Sequence, residues 1–376
     1  MKEICSKLDC TGCMACAFIC PHHAISFESV CGFMYPKINS EKCTSCGVCR
    51  KKCPQNNDLR QNHQIHNSFL SFDKNSNSRI ESSSGGIFSV ISKKILSLGG
   101  VVCGCAYDSN MKPHHVLVDN DCELEKLKGS KYVQSEIGDC YEEIKSLIHQ
   151  GRWVYFVGTP CQVAGLYSYL GKDFDHLLTS DLICHGVPSA TSFQHQIKSF
   201  EKKYDDSICD FKFRSKDRFG WGYDCELLFR SGRHKYLCAE TIPYFYGFWK
   251  NLTLRESCYR CKYASKNRMG DITLADFWTA KKLNPKMKVS KGVSLVLTNS
   301  LKGNVFWEKV KDELFFQEIN LEITLKSQSH LSVPVERPHI RDYYTGEQNL
   351  RIPLTYRLTM HVRNVVKLLL FYKYWK

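Results

Sequence analysis

Twice the sequence follows the pattern C-x2-C-x2-C-x3-C-P, once as CTGCMACAFICP over residues 10–21 and again as CTSCGVCRKKCP over residues 43–54. In each copy, a tight loop can wrap the first three thiolates around one face of an iron–sulfur cubane. The fourth cysteine lies about a helical turn further on and is followed directly by proline. Zinc ribbons use paired C-x2-C arms instead of such a triplet, so zinc is the weaker interpretation.

The fourth cysteine of each copy determines how the ligands are divided between the two clusters. In two-cluster ferredoxins this cysteine ligates the cluster of the other copy. We predict two ligand sets, namely Cys10, Cys13, Cys16 and Cys53 for one [4Fe–4S] cluster and Cys20, Cys43, Cys46 and Cys49 for the other. Residues 1–58 are therefore predicted to form a bacterial-type dicluster ferredoxin domain.

The composition agrees with an intracellular metalloprotein. The chain has 376 residues, 43% of them hydrophobic, which suits two or three folded domains. Its 21 cysteines are grouped at ligand spacings, whereas a secreted disulfide scaffold would be small and carry a leader. The net charge of +14 offsets anionic clusters, and without a dense basic stripe we predict no nucleic-acid partner.

Beyond the cysteine repeat, the pattern of apolar residues changes twice. Residues 59–80 are rich in Asn, Gln and Ser and are predicted to be a linker. Residues 81–310 alternate helical and strand-like periodicity, as at Ile87–Ile95 and Leu177–Ile183, which predicts an α/β domain with a largely parallel sheet. An antiparallel hairpin is expected within 211–237, turning at Ser231-Gly232. The fold class is α+β, with residues 311–376 forming a C-terminal extension that ends in a helical tail.

Several motifs of this larger domain follow one another in a recognisable order. They are SSGGIF (83–88), GSKYVQS (129–135), GTPCQ (158–162), DLICHGVPS (181–189), SCYRC (257–261), GDIT (270–273) and DFW (276–278). Over roughly residues 1–300 the chain resembles the coenzyme F420 hydrogenase/dehydrogenase beta-subunit family. The form with a two-cluster ferredoxin resembles the branch often encoded among bacterial surface-polysaccharide genes. The resemblance implies FAD, [4Fe–4S] clusters and electron transfer.

Three of the motifs offer groups that suit a flavin nucleotide. Backbone N–H groups at a helix start and close-packing glycines suit a pyrophosphate at 83–86, although an ordinary serine N-cap would look the same. The segment 129–132 offers a hydroxyl, a cation and an aromatic ring to such a ligand. An ordinary polar turn is the alternative interpretation of this segment. With the resemblance deciding, the predicted FAD-binding residues are Ser83, Ser84, Gly85, Gly86, Gly129, Ser130, Lys131, Tyr132, Gly158 and Thr159.

Four further cysteines are candidates for a third cluster. Cys161 and Cys184 each follow a predicted strand, where ligands collect in open α/β sheets. Cys258 and Cys261 form a C-x2-C pair, and in the family cysteines at these motifs bind a [4Fe–4S] cluster. A zinc site and unrelated core cysteines are the alternatives. The other nine cysteines, Cys5 among them, are expected to be small buried apolar residues.

Two features beside these cysteines have less certain chemistry. His185 is the candidate catalytic residue, as a proton donor near the flavin, but it could equally bond a cluster sulfur or pack in the core. Residues 219–221 (FGW) are expected to form a substrate-side loop.

The tail, residues 351–376, contains basic and apolar residues but no acidic one. Such a helix can lie on an anionic membrane, and docking on the core or on a partner is the alternative. We expect a cytoplasmic protein that contacts the inner face of the membrane through this tail.

Together these features predict an iron–sulfur flavoprotein oxidoreductase. Electrons would pass between a low-potential donor, a ferredoxin-like protein or deazaflavin, and a small organic acceptor in surface-polysaccharide biosynthesis. An electron-transfer subunit serving a separate enzyme is the main alternative, and a scaffold that has lost FAD is another.

Overall fold

The computed structural model describes residues 3–57 and 64–344, together with 352, 353, 356 and 362. The ferredoxin module, residues 3–57, contains α1 (Ala15–Ile19), β1 (Ile25–Val30), β2 (Phe33–Ile38) and α2 (Val48–Lys51). Both helices begin after a residue of positive φ, Met14 at 63° and Gly47 at 73°. β1 and β2 form an antiparallel hairpin whose turn, Cys31-Gly32, has positive φ at both positions and so suits the strand twist.

The rest of the described chain alternates helices and strands. Its first half contains β3 (Asn67–Asp73), α3 (Ser76–Glu81), α4 (Ile87–Ser97), β4 (Val101–Tyr107), β5 (Pro113–Val118), α5 (Asp121–Leu127), α6 (Cys140–His149), β6 (Val154–Val157), α7 (Pro160–Leu170) and β7 (Leu177–Leu182). Its second half contains α8 (Ala190–Tyr204), β8 (Ile208–Ser215), β9 (Asp224–Phe229), β10 (His234–Cys238), α9 (Pro243–Trp249), β11 (Ile272–Asp276), α10 (Ala280–Leu283), β12 (Ser294–Thr298), α11 (Leu301–Val310), β13 (Leu314–Glu318) and α12 (Leu321–Ser327). Short 3-10 segments cover Ala239–Thr241, Glu256–Arg260, Lys311–Glu313, Ser329–Leu331 and His339–Tyr344.

One eight-stranded sheet organises the larger domain, in the order β13-β3-β12-β11-β7-β6-β4-β5. The pairs β4–β6, β6–β7 and β7–β11 are parallel, which confirms the predicted α/β core. β12 pairs antiparallel with both β11 and β3, so β3 runs in the same direction as the parallel strands. The carboxyl ends of β3, β4, β6, β7 and β11 therefore lie along one side of the sheet, here called the carboxyl edge.

Helices cover both faces of this sheet because alternate strand residues point in opposite directions. On β6, Tyr155 packs with α4 and α11, whereas Val154 and Phe156 pack with α6, α7 and Ala15 of the module. A separate antiparallel sheet, β10-β9-β8, packs with α8 and α9 around an aromatic core. The hairpin expected within 211–237 is thus part of a three-stranded sheet, with its turn at Ser231-Gly232.

The predicted domain boundaries need two corrections. The predicted linker, 59–80, contains β3, an inner strand of the large sheet, and the predicted extension from 311 contributes the edge strand β13. β3 was mistaken for a linker because half of its residues are small and polar. Inside the sheet these serines have partners: Ser68 Oγ lies 2.6 Å from Thr324 Oγ1, and Ser71 Oγ donates to the carbonyl of Phe315.

The predicted amphipathic tail lies outside the described residues apart from the four positions named above. Within the described part of the chain, no helix combines the length and the apolar character needed to span a bilayer.

Candidate iron–sulfur and flavin sites at the carboxyl edge

The structure separates the module's cysteines into two groups. Cys20, Cys43, Cys46 and Cys49, the distal group, line one cavity, and Cys46 is exposed to solvent. Cys10, Cys13, Cys16 and Cys53 form the proximal group, in which the charges of Cys10 and Cys53 act on both Cys13 and Cys16. In each group the fourth member comes from the other copy of the repeat, as the spacing predicts.

A ninth cysteine belongs to this neighbourhood. Cys5 is in hydrogen-bond contact with both Cys10 and Cys53, and these contacts lower the pKa of those two thiols. Cys5 was expected in the apolar core, since nothing in its spacing marks it. Its thiol instead lies directly beside two predicted ligands.

The third group, Cys161, Cys184, Cys258 and Cys261, assembles at the carboxyl edge. Pro160 begins α7 directly after β6, and a capping box between Thr159 and Gln162 fixes that start, which places Cys161 in the first turn. Cys184 follows β7, and the charges of the other three cysteines act on it. Thr159 Oγ1 lies 3.1 Å from Cys161 Sγ, so Gly158 and Thr159 lie at this group of thiols.

Without a bound metal, the half-buried thiols of this group are protonated and neutral. Burial raises the pKa of Cys161 to about 11 and that of Cys258 to about 12. A coordinating metal deprotonates such thiols, so loading would release protons. Among the described residues, no three Cys, His, Asp or Glu side chains converge closely enough for a single metal ion. A [4Fe–4S] cluster is larger than a single ion and uses four cysteine thiolates, the number of cysteines in this group.

Close packing joins the ferredoxin module to the larger domain. A Cβ on Gly165 in α7 would lie 2.9 Å from Cys13 Cβ, so the helix can approach the cysteine loop only because residue 165 is glycine. Gln55 Nε2 donates to Tyr263 Oη at 3.2 Å, and Lys262 donates to the carbonyls of Pro54 and Asn57.

This docking orders the three groups of cysteines. Cys16 packs in the same cluster as Cys49 of the distal group, and Cys13 packs in the same cluster as Cys161 and Cys261 of the third group. The proximal group therefore lies between the other two.

The predicted nucleotide motifs meet at the start of α4. The backbone N–H of Ser130 donates to Ser83 Oγ at 2.6 Å, which joins the 83–86 and 129–132 segments. Ser84 Oγ donates to the carbonyl of Val293, and the N–H of Gly85 donates to Ser294 Oγ. Gly86, with φ of 92°, precedes α4, and no side chain caps the helix there. The first-turn N–H groups of α4 thus remain available to an anion.

Buried cations surround this helix start. Lys216 Nζ donates to the carbonyls of Arg79, Ser84 and Lys291 at 2.6 to 2.7 Å. Burial, together with the charges of Arg214 and Arg79, lowers the pKa of Lys216 to about 7. Positive potential from these side chains adds to that of the helix terminus and favours a phosphate there.

The other two predicted flavin residues are engaged within the protein. Lys131 Nζ donates to backbone carbonyls at the end of α5, including that of Lys128 at 3.0 Å. Tyr132 packs against the aromatic core, and its hydroxyl accepts a hydrogen bond from Arg214 Nη1 at 2.9 Å. Tyr132 thereby links the 129–132 segment to Arg214 instead of presenting an open ring face.

Arg214 lies in a cluster of incompletely satisfied polar atoms. Its Nη1 contacts Asp276 Oδ2 at 2.8 Å, while Arg214 Nη2, Asp276 Oδ1 and Trp221 Nε1 are buried without a hydrogen-bond partner among the residues that the structure describes. The guanidinium also lies over the rings of Tyr223 and Trp278, and Trp278 stacks on Trp221 with centroids 4.1 Å apart. Buried donors and acceptors without partners indicate a polar ligand.

This cluster lies beside the third group of cysteines. β11 and β7 run parallel with Leu274 opposite Leu182, so Asp276 at the end of β11 lies level with Cys184, two residues beyond the end of β7. Residue 221 comes from the predicted substrate-side loop. Arg214 and Lys216 were not among the predicted site residues, since isolated basic residues carry no spacing signal.

The predicted catalytic residue, His185, has both ring nitrogens occupied. Nε2 lies 2.8 Å from Asn251 Oδ1, and Nδ1 lies 3.1 Å from His330 Nε2. Burial, with the neighbouring charge of His330, lowers the pKa of His185 and favours the neutral ring. The structure thus places His185 in a hydrogen-bonded pair of histidines next to Cys184.

Comparisons with known proteins agree with this organisation. Residues 151–323 match the family described as the C terminus of the coenzyme F420 hydrogenase/dehydrogenase beta subunit, and residues 9–57 match the 4Fe-4S dicluster domain. A chain from the xenon-derivatized F420-reducing [NiFe] hydrogenase complex of Methanosarcina barkeri aligns with a TM-score of 0.49 and 16% identity, covering 71% of this chain and 89% of that one. The comparison with curated proteins gave no match. The two family matches confirm the predicted beta-subunit family over residues 151–323 and the N-terminal dicluster domain.

Proposed function

Starting from the membership of this chain in the coenzyme F420 hydrogenase/dehydrogenase beta-subunit family, with an N-terminal 4Fe-4S dicluster domain, we propose an iron–sulfur flavoprotein oxidoreductase. It would carry electrons between a low-potential donor and a small organic acceptor. The single observation that carries the proposal is the packed row of three cysteine groups, which ends beside polar atoms of Arg214 and Asp276 that have no partner among the described residues.

The order of the cysteine groups supports a path from the surface to the carboxyl edge. [4Fe–4S] clusters held by thiolates exchange single electrons. The exposed Cys46 places the distal group where a donor protein can approach, whereas the half-buried cysteines of the third group lie at the far end. A ferredoxin-like protein or a deazaflavin would supply the electrons, with the proximal group between entry and exit.

The residues around α4 fit an FAD. The uncapped helix start would hold the pyrophosphate, with Lys216 and Arg79 adding positive potential. Arg214, Asp276 and Trp221 would meet the polar edge of the ring system. When bound, the flavin supplies two-electron chemistry fed by single electrons. These side chains would hold the flavin near Cys184, and the Trp221–Trp278 stack would cover part of the site.

The resemblance to proteins encoded beside surface-polysaccharide genes supports a sugar-linked intermediate as the acceptor. That support is an association rather than chemistry. A cytoplasmic protein contacting the membrane through residues 351–376 would meet lipid-linked intermediates at the inner face.

The test is anaerobic purification followed by quantitation of iron, sulfide and flavin. We expect about twelve irons and one FAD per chain, because three cubanes need four irons each. About eight irons without flavin would contradict the flavoenzyme and leave a dicluster carrier serving a partner enzyme. A colourless, iron-poor or zinc-containing preparation would contradict the proposal as a whole.

A further inference from the structure

Arg255 is a buried cation between the proximal and third groups of cysteines. Its side chain is almost completely buried, at 1% exposure. Nε donates to the carbonyl of Cys10 at 2.7 Å, and Nη1 donates to Gln134 Oε1 at 3.0 Å. Nη2 donates to the carbonyl of Met34 at 2.9 Å and lies 3.6 Å from Cys10 Sγ. All three nitrogens are therefore satisfied by hydrogen bonds, one of them directed at a predicted ligand.

Arg255 differs from other buried arginines in its charge partner. Arg268, equally buried, forms an ion pair with Asp181 at 3.2 Å, and Arg214 pairs with Asp276. Within the described residues, Arg255 forms no ion pair with a carboxylate. Its guanidinium rests instead over the ring of Tyr35, 4.3 Å from the centroid. A buried charge without a counter-charge is costly, so an unpaired arginine at this position calls for an anion.

The backbone of the same residue belongs to the loop of the third group. The N–H of Arg255 donates to the carbonyl of Val187 at 3.0 Å, and its carbonyl accepts from the N–H of Cys258 at 2.9 Å. Main chain and side chain thus connect the third group to the proximal group. Room for the guanidinium comes from Gly12, where a Cβ would lie 2.8 Å from Arg255 Nη1.

We propose that Arg255 is a positioning residue whose counter-charge is the anionic cluster held by the proximal group. Resting on the proposed function, the assignment gives the Arg255 side chain two effects. The positive charge stabilises the reduced, more negative form of that cluster and so raises its reduction potential. The hydrogen bonds to Cys10 hold the cluster at a fixed place relative to the third group.

The test is a redox titration of the full loaded chain, followed by EPR of the reduced clusters. In R255Q we expect one cluster to become harder to reduce, with the ratio of oxidised to reduced cluster changing about tenfold at fixed potential, which corresponds to about 59 mV for one electron. R255K keeps the charge and should shift that ratio less. The matched control is R260Q, because Arg260 also joins the module to the domain, through Asp9 at 2.7 Å, but at an exposed site where its charge is screened.

Each outcome decides for or against the proposal. An unchanged set of potentials in R255Q, or equal shifts in R255Q and R260Q, would overturn it while leaving the iron content and the proposed function intact. If R255Q loses iron, the proposal requires that R255K retains it. An equal loss of iron in R255K would overturn the proposal, because the shape of the side chain and not its charge would then hold the cluster. An iron-poor wild-type chain would instead remove the proposed function.

Discussion

The ferredoxin module and the carboxyl edge both gather cysteines, but by different routes. The module's eight predicted ligands fall within residues 10–53, and short loops with positive φ at Met14 and Gly47 arrange them. The third group spans residues 161–261 and comes together only because β6 and β7 are neighbours whose carboxyl ends meet a distant loop. The module can therefore be identified from spacing alone, whereas the third group depends on the whole sheet being formed.

The largest expected effect comes from removing one cysteine in each region. In Cys46→Ala and in Cys258→Ala, we expect the loss of about four of about twelve irons, because a cubane needs its full set of thiolates. Iron quantitation and EPR on anaerobically purified full-length chains measure the loss. Cys209→Ala is the control, since that exposed thiol on β8 lies apart from the three groups. A Cys258→Ala chain that keeps all its iron would contradict this expectation, because it would show that the third group binds no cluster.

A second effect concerns the strand that the sequence presents as a linker. Leu70 on β3 is completely buried, so Leu70→Ala should lower the free energy of unfolding by about 2–5 kcal/mol through lost burial and a cavity. Denaturant unfolding followed by tryptophan fluorescence measures this change. The matched control is Leu301→Ala, whose side chain is largely exposed and should cost well under 1 kcal/mol. Equal free energies of unfolding of the two variants would show that residues 67–73 are a linker and not a buried strand.

The smallest expected effect is a pH dependence of the free energy of unfolding that arises from His115 in the larger domain. Burial lowers the pKa of His115 to about 4, and its Nε2 contacts the carbonyl of Val157 while Nδ1 contacts Ser135 Oγ. The unfolded chain takes up a proton near pH 6.5 and the folded chain does not, so stability present above that pH is lost as the pH falls toward 4. Between pH 7 and 5 the loss should be roughly 1–2 kcal/mol.

His115→Gln should remove this slope, whatever it does to stability at pH 7. Unfolding midpoints of both proteins at the two pH values give the comparison, and the acid sensitivity of the clusters cancels in the difference. An unchanged slope in the variant would show that His115 is not the responsible group.

The fold and part of the site could be predicted because their signals are local. The helix at 87–97, the strands beside it and the division of the module's cysteines all follow from short-range periodicity or spacing. β3 escaped prediction because buried serines in a sheet resemble linker composition. Arg255 and Arg214 were not predicted because a basic residue becomes informative only when its surroundings are known. Within the described part of the chain, Arg255 has no carboxylate partner and Arg214 has a nitrogen without a hydrogen-bond partner.

Residues 12 and 45 occupy corresponding positions in the two copies of the module's repeat but differ in identity. Gly12 and Ser45 share the same backbone twist, with φ of 68° and 58°. Only the glycine leaves space for Arg255 and Gln134, which would collide with a Cβ. The two copies of the repeat are therefore not interchangeable at the docking surface. A ferredoxin grafted onto this domain could attach in one orientation only, with the copy that has glycine at position 12 facing the domain.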